Sequence, residues 1–162
     1  MKKLITITLV LFCFLLITNR AAAQDYKMAI GLKFGGYENG ISGKYFLNQT
    51  SALEAIIGLR SHGAALTGLY EFHLQAFNVP GLNFYYGAGG HLGGVGNRVD
   101  KSFGNDNYYR SKVLIGADGV LGLEYKIDRA PIAISLDLNP RIEFATGPFF
   151  DLAPGLGLKY TF

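Results

Sequence analysis

Little in this chain speaks for chemistry at a site. Cysteine occurs once, as Cys13 in the apolar N-terminal stretch, so the rest of the chain has neither a disulfide framework nor a thiolate nucleophile. Net charge is missing too. Of the 15 basic residues, Lys2, Lys3 and Arg20 belong to that same stretch, and without them the remainder only equals the 12 acidic ones. Such a balance gives no reason to expect nucleic acid as a partner. No zinc-ligand spacing appears, and no metal or cofactor is implied. The glycine-rich run Gly87 to Gly96 is followed by a polar stretch instead of the helix that a phosphate-cradling loop requires.

What is present begins with a leader. Met1-Lys2-Lys3, the apolar run Leu4 to Ile17 and the small-residue segment ending Ala21-Ala22-Ala23 have the order of a secretory signal peptide, with cleavage expected after Ala23. The run is short of the about 20 apolar residues that a membrane-spanning helix needs. Lipidation at Cys13 would want a small residue before it, where Phe12 stands. Residues 24–162 then form one domain, rich in glycine and tyrosine, without tryptophan and without a linker or low-complexity tract.

Period two recurs through that domain, the mark of half-buried strands. Strands are expected over Tyr26 to Gly36, Gly40 to Asn48, Ser51 to Ser61, Ala64 to Asn78, Leu82 to Gly93, Ser111 to Ile127, Ile132 to Phe144 and Phe150 to Phe162. Each has an apolar and a polar face. Met28, Ile30, Leu32 and Phe34 oppose Lys33 and two glycines in the first; Leu152, Leu156, Leu158, Tyr160 and Phe162 oppose Gly155, Gly157 and Lys159 in the last. An apolar final strand is a liability unless another strand closes over it. The expected fold is therefore all-β, an eight-stranded antiparallel up-and-down transmembrane β-barrel with a filled polar interior. Asn48 to Thr50, Asn78 to Gly81 and Asp128 to Pro131 make short turns at one end, and Gly94 to Arg110 is read as a long loop at the other.

The faces decide which solvent lies outside. The polar face is mostly small residues with single charges between them, which suits a cramped interior. The apolar face carries aromatics toward strand ends: Tyr26, Phe34, Tyr45, Phe72, Phe84, Tyr125, Phe144, Tyr160 and Phe162. Such residues belong at membrane interfaces. The alternative is a soluble, lipocalin-like periplasmic barrel, with the apolar face turned inward around a ligand. With the polar face inside, an interior charge network is expected from Lys33, Lys44, Glu54, Arg60, Glu71, His73, His91, Asp118, Glu124, Asp137, Arg141 and Lys159, together with Lys126. Opposite charges in so narrow a space should pair, and eight strands leave room for side chains and no general diffusion pore.

Among these, Glu71, His73 and His91 share a face. If the Val79-Pro80 turn sets the register, Glu71 lies near Gly89 and diagonal to His91, either as an acid–imidazole pair or as part of a structural network. Ser61 and His62 are adjacent near an outer rim, yet neighbours on a strand point to opposite faces, which does not make a nucleophile and base. Arg98, Asp100, Lys101, Tyr108, Tyr109 and Arg110 in the expected loop form a candidate contact surface for an extracellular partner. Asn48-Gln49-Thr50 matches a glycosylation sequon and is read as a turn.

Taken together, the leader, eight alternating segments, short turns opposite one long polar stretch, and a last strand ending on Phe162 resemble the small bacterial outer-membrane barrels of the OmpA-like or OmpX-like type. That resemblance implies a Gram-negative outer-membrane protein with both mature termini in the periplasm. It implies contact with outer-membrane lipid and lipopolysaccharide, and recognition of Tyr160 and Phe162 by the barrel assembly machinery. It implies a structural or interaction role and no enzymatic one, although some such barrels are lipid A acyl hydrolases or acyltransferases. No peptidoglycan-binding domain follows Phe162, and most loops are short, which departs from cell-wall anchoring and adhesion.

Overall fold

The computed structural model describes residues 26–35, 39–60, 63–99, 108–145 and 150–162. They form β1 (Met28–Gly35), β2 (Asn39–Phe46), β3 (Ser51–Arg60), β4 (Gly63–Gln75), β5 (Leu82–Val99), β6 (Tyr108–Lys126), β7 (Ile132–Glu143) and β8 (Phe150–Thr161). Each strand pairs antiparallel with its neighbours in sequence, and β8 returns to β1, so the expected closed up-and-down order of eight is what forms. The expected signal peptide, residues 1–23, and Ser61, His62, Asp100 and Lys101 lie outside the described residues, as do the side chains of Arg60, Arg98, Tyr108, Tyr109 and Arg110.

Closure answers the edge problem. Leu32 pairs with Leu158 and Gly31 with Lys159 along β1 and β8, and the Phe162 carbonyl accepts from Lys27 N at 3.0 Å while Phe162 N donates to Met28 O at 2.8 Å. Along the body of the barrel each strand has a partner on both sides; among the described residues, 96–99 of β5 have ladder partners only on β6, and 108–114 of β6 only on β5. At the end of the barrel that carries Tyr26 and Phe162 (the terminal end) three short connections join the hairpins. In the first, Asn48 Oδ1 accepts from the backbone of Thr50 at 2.9 Å and Ser51 at 2.8 Å, so the side chain of the sequon asparagine is the turn's own fastening. The second turns tightly through Phe77 and Asn78, both at positive φ (52° and 54°), and Gly81 at 79°. A side chain at Gly81 would meet the Lys126 carbonyl oxygen at 2.6 Å as well as strain the backbone.

The wall sorts side chains by parity. Met28, Ile30, Leu32 and Phe34 point outward from β1 while Ala29 and Lys33 are buried, and the same alternation holds on the other strands. One consequence is a row of large aliphatics in direct register across seven of the eight strand pairs: Ile134, Leu158, Leu32, Ile41, Ile57, Leu66, Leu92 and Ile115, one per strand; the row climbs as it turns, so that Ile134 meets Tyr125 on β6 and not Ile115. Every member is at least 41% exposed. Nearer the terminal end, outward aromatics cluster, with Tyr70 to Phe72 at 5.1 Å, Phe72 to Tyr86 at 5.6 Å and Tyr160 to Phe162 at 4.9 Å between ring centres.

Two expectations need correction. Gly94 to Arg110 is not a loop throughout: β5 continues to Val99 and β6 starts at Tyr108, with Asn97 opposite Arg110, Arg98 opposite Tyr109 and Val99 opposite Tyr108. Where neither face of a hairpin has to be apolar, period two disappears while the ladder continues, so pattern alone ends the strands too early. Tyr26 does not join the outer aromatics; it is 6% exposed and inside. It precedes β1, where the alternation that assigned it no longer applies.

Candidate functional site

The site is the interior itself. Its inward-facing positions come from every strand, and the structure gathers the charged ones into two groups. The larger lies toward the terminal half and centres on Lys44, which is fully enclosed. Lys44 Nζ stands 2.8 Å from Glu71 Oε2, 3.0 Å from Glu124 Oε2 and 3.7 Å from Glu54 Oε2. It also sits 4.4 Å from the centre of the Tyr85 ring, a cation–π contact. Three carboxylates and an aromatic face surround one ammonium.

Around that centre the neighbours interlock. Lys159 Nζ reaches Glu54 Oε1 at 2.8 Å and Glu124 Oε2 at 3.9 Å, and Lys33 Nζ reaches Asp137 Oδ2 at 3.2 Å. Hydroxyls fill in: Tyr26 donates to Glu124, Ser42 to Glu54, and Tyr85 to Asp137 Oδ2 at 2.6 Å. Asn139 Nδ2 donates to Asp137 Oδ1 at 2.6 Å. His73 Nε2 lies 3.0 Å from Glu71 Oε2, its ring stacked on Tyr85 and edge-on to Phe46. Glycine makes the room: a Cβ at Gly122 would stand 2.7 Å from Asp137 Cβ and 2.9 Å from the Tyr85 ring.

The smaller group lies toward the opposite end. His91 is held between two carboxylates, with Nδ1 2.7 Å from Asp118 Oδ2 and Nε2 3.0 Å from Glu143 Oε2. Arg141 Nε donates to Asp118 Oδ1 at 2.6 Å, and its Nη2 to Thr67 Oγ1 at 3.3 Å. Glu143 Oε1 also accepts from the backbone N of Ile115 at 2.9 Å. Arg141, Asp118, His91 and Glu143 thus fasten β5, β6 and β7 together.

Lys33, Lys44, Glu54, Glu71, His73, Asp118, Glu124, Asp137, Arg141, His91 and Lys159 are all buried, while Lys126 is half-buried near the terminal mouth. The structure does not bring Glu71 and His91 together. Glu71 pairs with Gly87, and His91 with Thr67, because the tight turn leaves Gln75 opposite Asn83. That places the ladder two residues from the register expected of a Val79-Pro80 turn, and a shift of two keeps every face while changing every partner. The partners of Glu71 are His73 and Lys44 instead. Sequence reasoning also missed Tyr26, Ser42, Tyr85 and Glu143. Glu143 was findable, since it continues the inward parity of Asp137, Asn139 and Arg141.

As chemistry, the arrangement offers no activated nucleophile among the described residues. Ser42 donates to Glu54, and the buried Ser135 Oγ has no hydrogen-bond partner. Nor are three or more His, Cys, Asp or Glu among them placed to hold a metal ion. What the interior can do is lock: a buried ion costs several kcal/mol or so, and pairing with full hydrogen bonding offsets this only when the geometry is specific.

No protein-family model matches the chain, and no curated protein matches it in sequence. Among solved structures it is similar to the N-terminal β-barrel domain of Pseudomonas aeruginosa OprF, with a TM-score of 0.63 over 87% of this chain and 100% of that one. Identity is 20%, so the likeness is one of fold. The chain folds as a closed eight-stranded antiparallel barrel of that architecture.

Proposed function

We propose that this chain is an integral outer-membrane protein, exported by residues 1–23 and held in lipid by its outer face, with a structural or interaction role at the cell surface. The observation that carries the reading is the registered row of aliphatics from Ile134 round to Ile115, exposed on every strand while Lys44, Glu54 and Glu71 are enclosed. In water this apolar wall, exposed on all eight strands, would far exceed the patches that soluble monomers expose. Lipid makes it a solvated surface, and closed barrels are one of two structures that satisfy their backbone there. The soluble alternative needed the apolar face inside around a ligand, and that face is outside.

The terminal end, with its short turns and outward aromatics, fits the periplasmic side. The longest hairpin, β5–β6, then projects from the cell, and its sequence carries Arg98, Tyr108, Tyr109 and Arg110 for any contact. A general diffusion pore does not fit an interior crossed by Lys44, Lys159 and Tyr85 and their partners. The test is to fractionate cells and run the outer-membrane protein on a detergent gel with and without boiling. Recovery in the outer membrane and a heat-dependent change of mobility are expected; recovery in the periplasm without detergent, with one mobility in both lanes, would overturn the reading.

A further inference from the structure

The Lys44 group does not balance as drawn. Among the described residues its ammonium groups are Lys33, Lys44 and Lys159, and its carboxyls are Glu54, Glu71, Glu124 and Asp137, one more than the cations. Tyr26 and Tyr85 enter as neutral donors, to Glu124 and Asp137. His73 does not supply the missing positive charge. Its Nδ1 is buried without a partner between Phe46 and Tyr85, so an imidazolium would strand a charged N–H there. A neutral ring protonated on Nε2 donates to Glu71 and leaves only a lone pair unmet.

Hydrogen bonding shows the same deficit at the same place. Glu54 Oε1 accepts from Ser42 and faces the Lys159 ammonium, and Glu71 Oε2 faces the Lys44 ammonium and the His73 ring. That leaves Glu54 Oε2 and Glu71 Oε1 as buried carboxyl oxygens without a hydrogen bond, the Lys44 ammonium standing 3.7 Å from the former, while the Lys33 and Lys159 ammonium groups make ion pairs of poor hydrogen-bond geometry. The two carboxyls come from adjacent strands and the same inner face, diagonal to each other in the ladder, and both reach one ammonium: Lys44 Nζ lies 3.7 Å from Glu54 Oε2 and 2.8 Å from Glu71 Oε2. One proton between them removes both defects, since it equalises the charge and gives each orphan oxygen a partner.

We infer that Glu54 and Glu71 share one proton, which makes the pair a proton-binding site at the heart of the barrel. The inference concerns the interior alone and does not rest on the membrane reading. The barrel then folds by taking up a proton that the unfolded chain, with solvated glutamates, does not hold at neutral pH. Unfolding releases it, so the sign is fixed: stability falls as pH rises, with about a tenfold increase in the unfolding constant per pH unit from this one proton.

The primary test is carbon NMR of the intact protein in micelles, with glutamate side-chain carboxyls labelled, at neutral pH. One carboxyl's worth of protonated signal is expected, in a single resonance or divided over two. It should vanish in Glu71→Gln and in Glu54→Gln, because a single amide donates where the proton stood. Each single variant should stay as stable as the parent and lose the parent's extra tenfold-per-unit pH slope near neutrality, whereas the double variant, with one carboxylate too few, should be less stable than either. If every glutamate of the parent is ionised at neutral pH, the inference is wrong, whatever the variants do, and a water or cation bridges the two oxygens.

Discussion

Leu136 and Asp137 are consecutive on β7, yet they live in different solvents. Leu136 is 63% exposed on the outer wall, beside Leu123 and Leu156, and any apolar residue would serve it as a neighbour. Asp137 is 2% exposed and holds Lys33, Tyr85 and Asn139 at defined atoms. The outer face is specified by class of residue and the inner face by identity. A wall one residue thick therefore carries two kinds of information: where the protein resides is written outside, and which single structure it adopts is written inside.

The inner face should be the more fragile. Replacing Lys44 with Met keeps the volume and removes the ammonium that Glu54, Glu71 and Glu124 share. Urea unfolding in lipid vesicles should show a loss of about 3–5 kcal/mol, the range for breaking a buried ion pair from one side. A loss near zero would mean that the interior is wet enough to solvate the carboxylates, and the contrast between the faces would collapse. On the outer face the damaging change is one of class. Leu136→Arg should cost about 2–4 kcal/mol in vesicles if this stretch of the wall lies near the bilayer midplane. No loss there would break the proposal that the face meets lipid.

The same division explains what could be read from the sequence. All eight strands and their faces were legible, because a two-solvent wall imposes period two on every strand that crosses it. Membership of the interior followed from parity for Lys44, Glu71 and Asp137. Partnership did not, since it depends on register, and register across the β4–β5 turn is set by Phe77 and Asn78 at positive φ, which no side-chain pattern announces. The conditional approach of Glu71 to His91 fails for that reason, and of the two histidines on its face it is His73 that Glu71 meets. Beyond the wall the signal fails in both directions. The ends of β5 and β6 that extend past their other neighbours lack the alternation and read as a loop, and Tyr26, just before the first strand, lies on the side opposite to its parity.

Glycine offers the finest probe of the contrast, since one substitution can be made on each face. Gly122 faces inward, where a Cβ would stand 2.7 Å from both Asp137 Cβ and the Leu136 carbonyl oxygen, with the Tyr85 ring at 2.9 Å. The backbone on one side and the Tyr85–Asp137 hydrogen bond on the other leave nothing free to yield, so Gly122→Ala should destabilise by about 1–3 kcal/mol. Gly43 faces outward in a row of small residues with Ala55 and Gly68, and a Cβ there meets nothing within 4 Å. With no contact to lose, the unfolded chain decides: alanine has fewer conformations to give up in a strand, and Gly43→Ala should stabilise by about 0.5–1 kcal/mol. Opposite signs for the same methyl group, measured by urea unfolding in the same vesicles, would sharpen the distinction between a wall built by class and a core built by identity. If Gly43→Ala destabilises instead, that outer row is itself a site of close contact, and the outer face is as specific as the inner one.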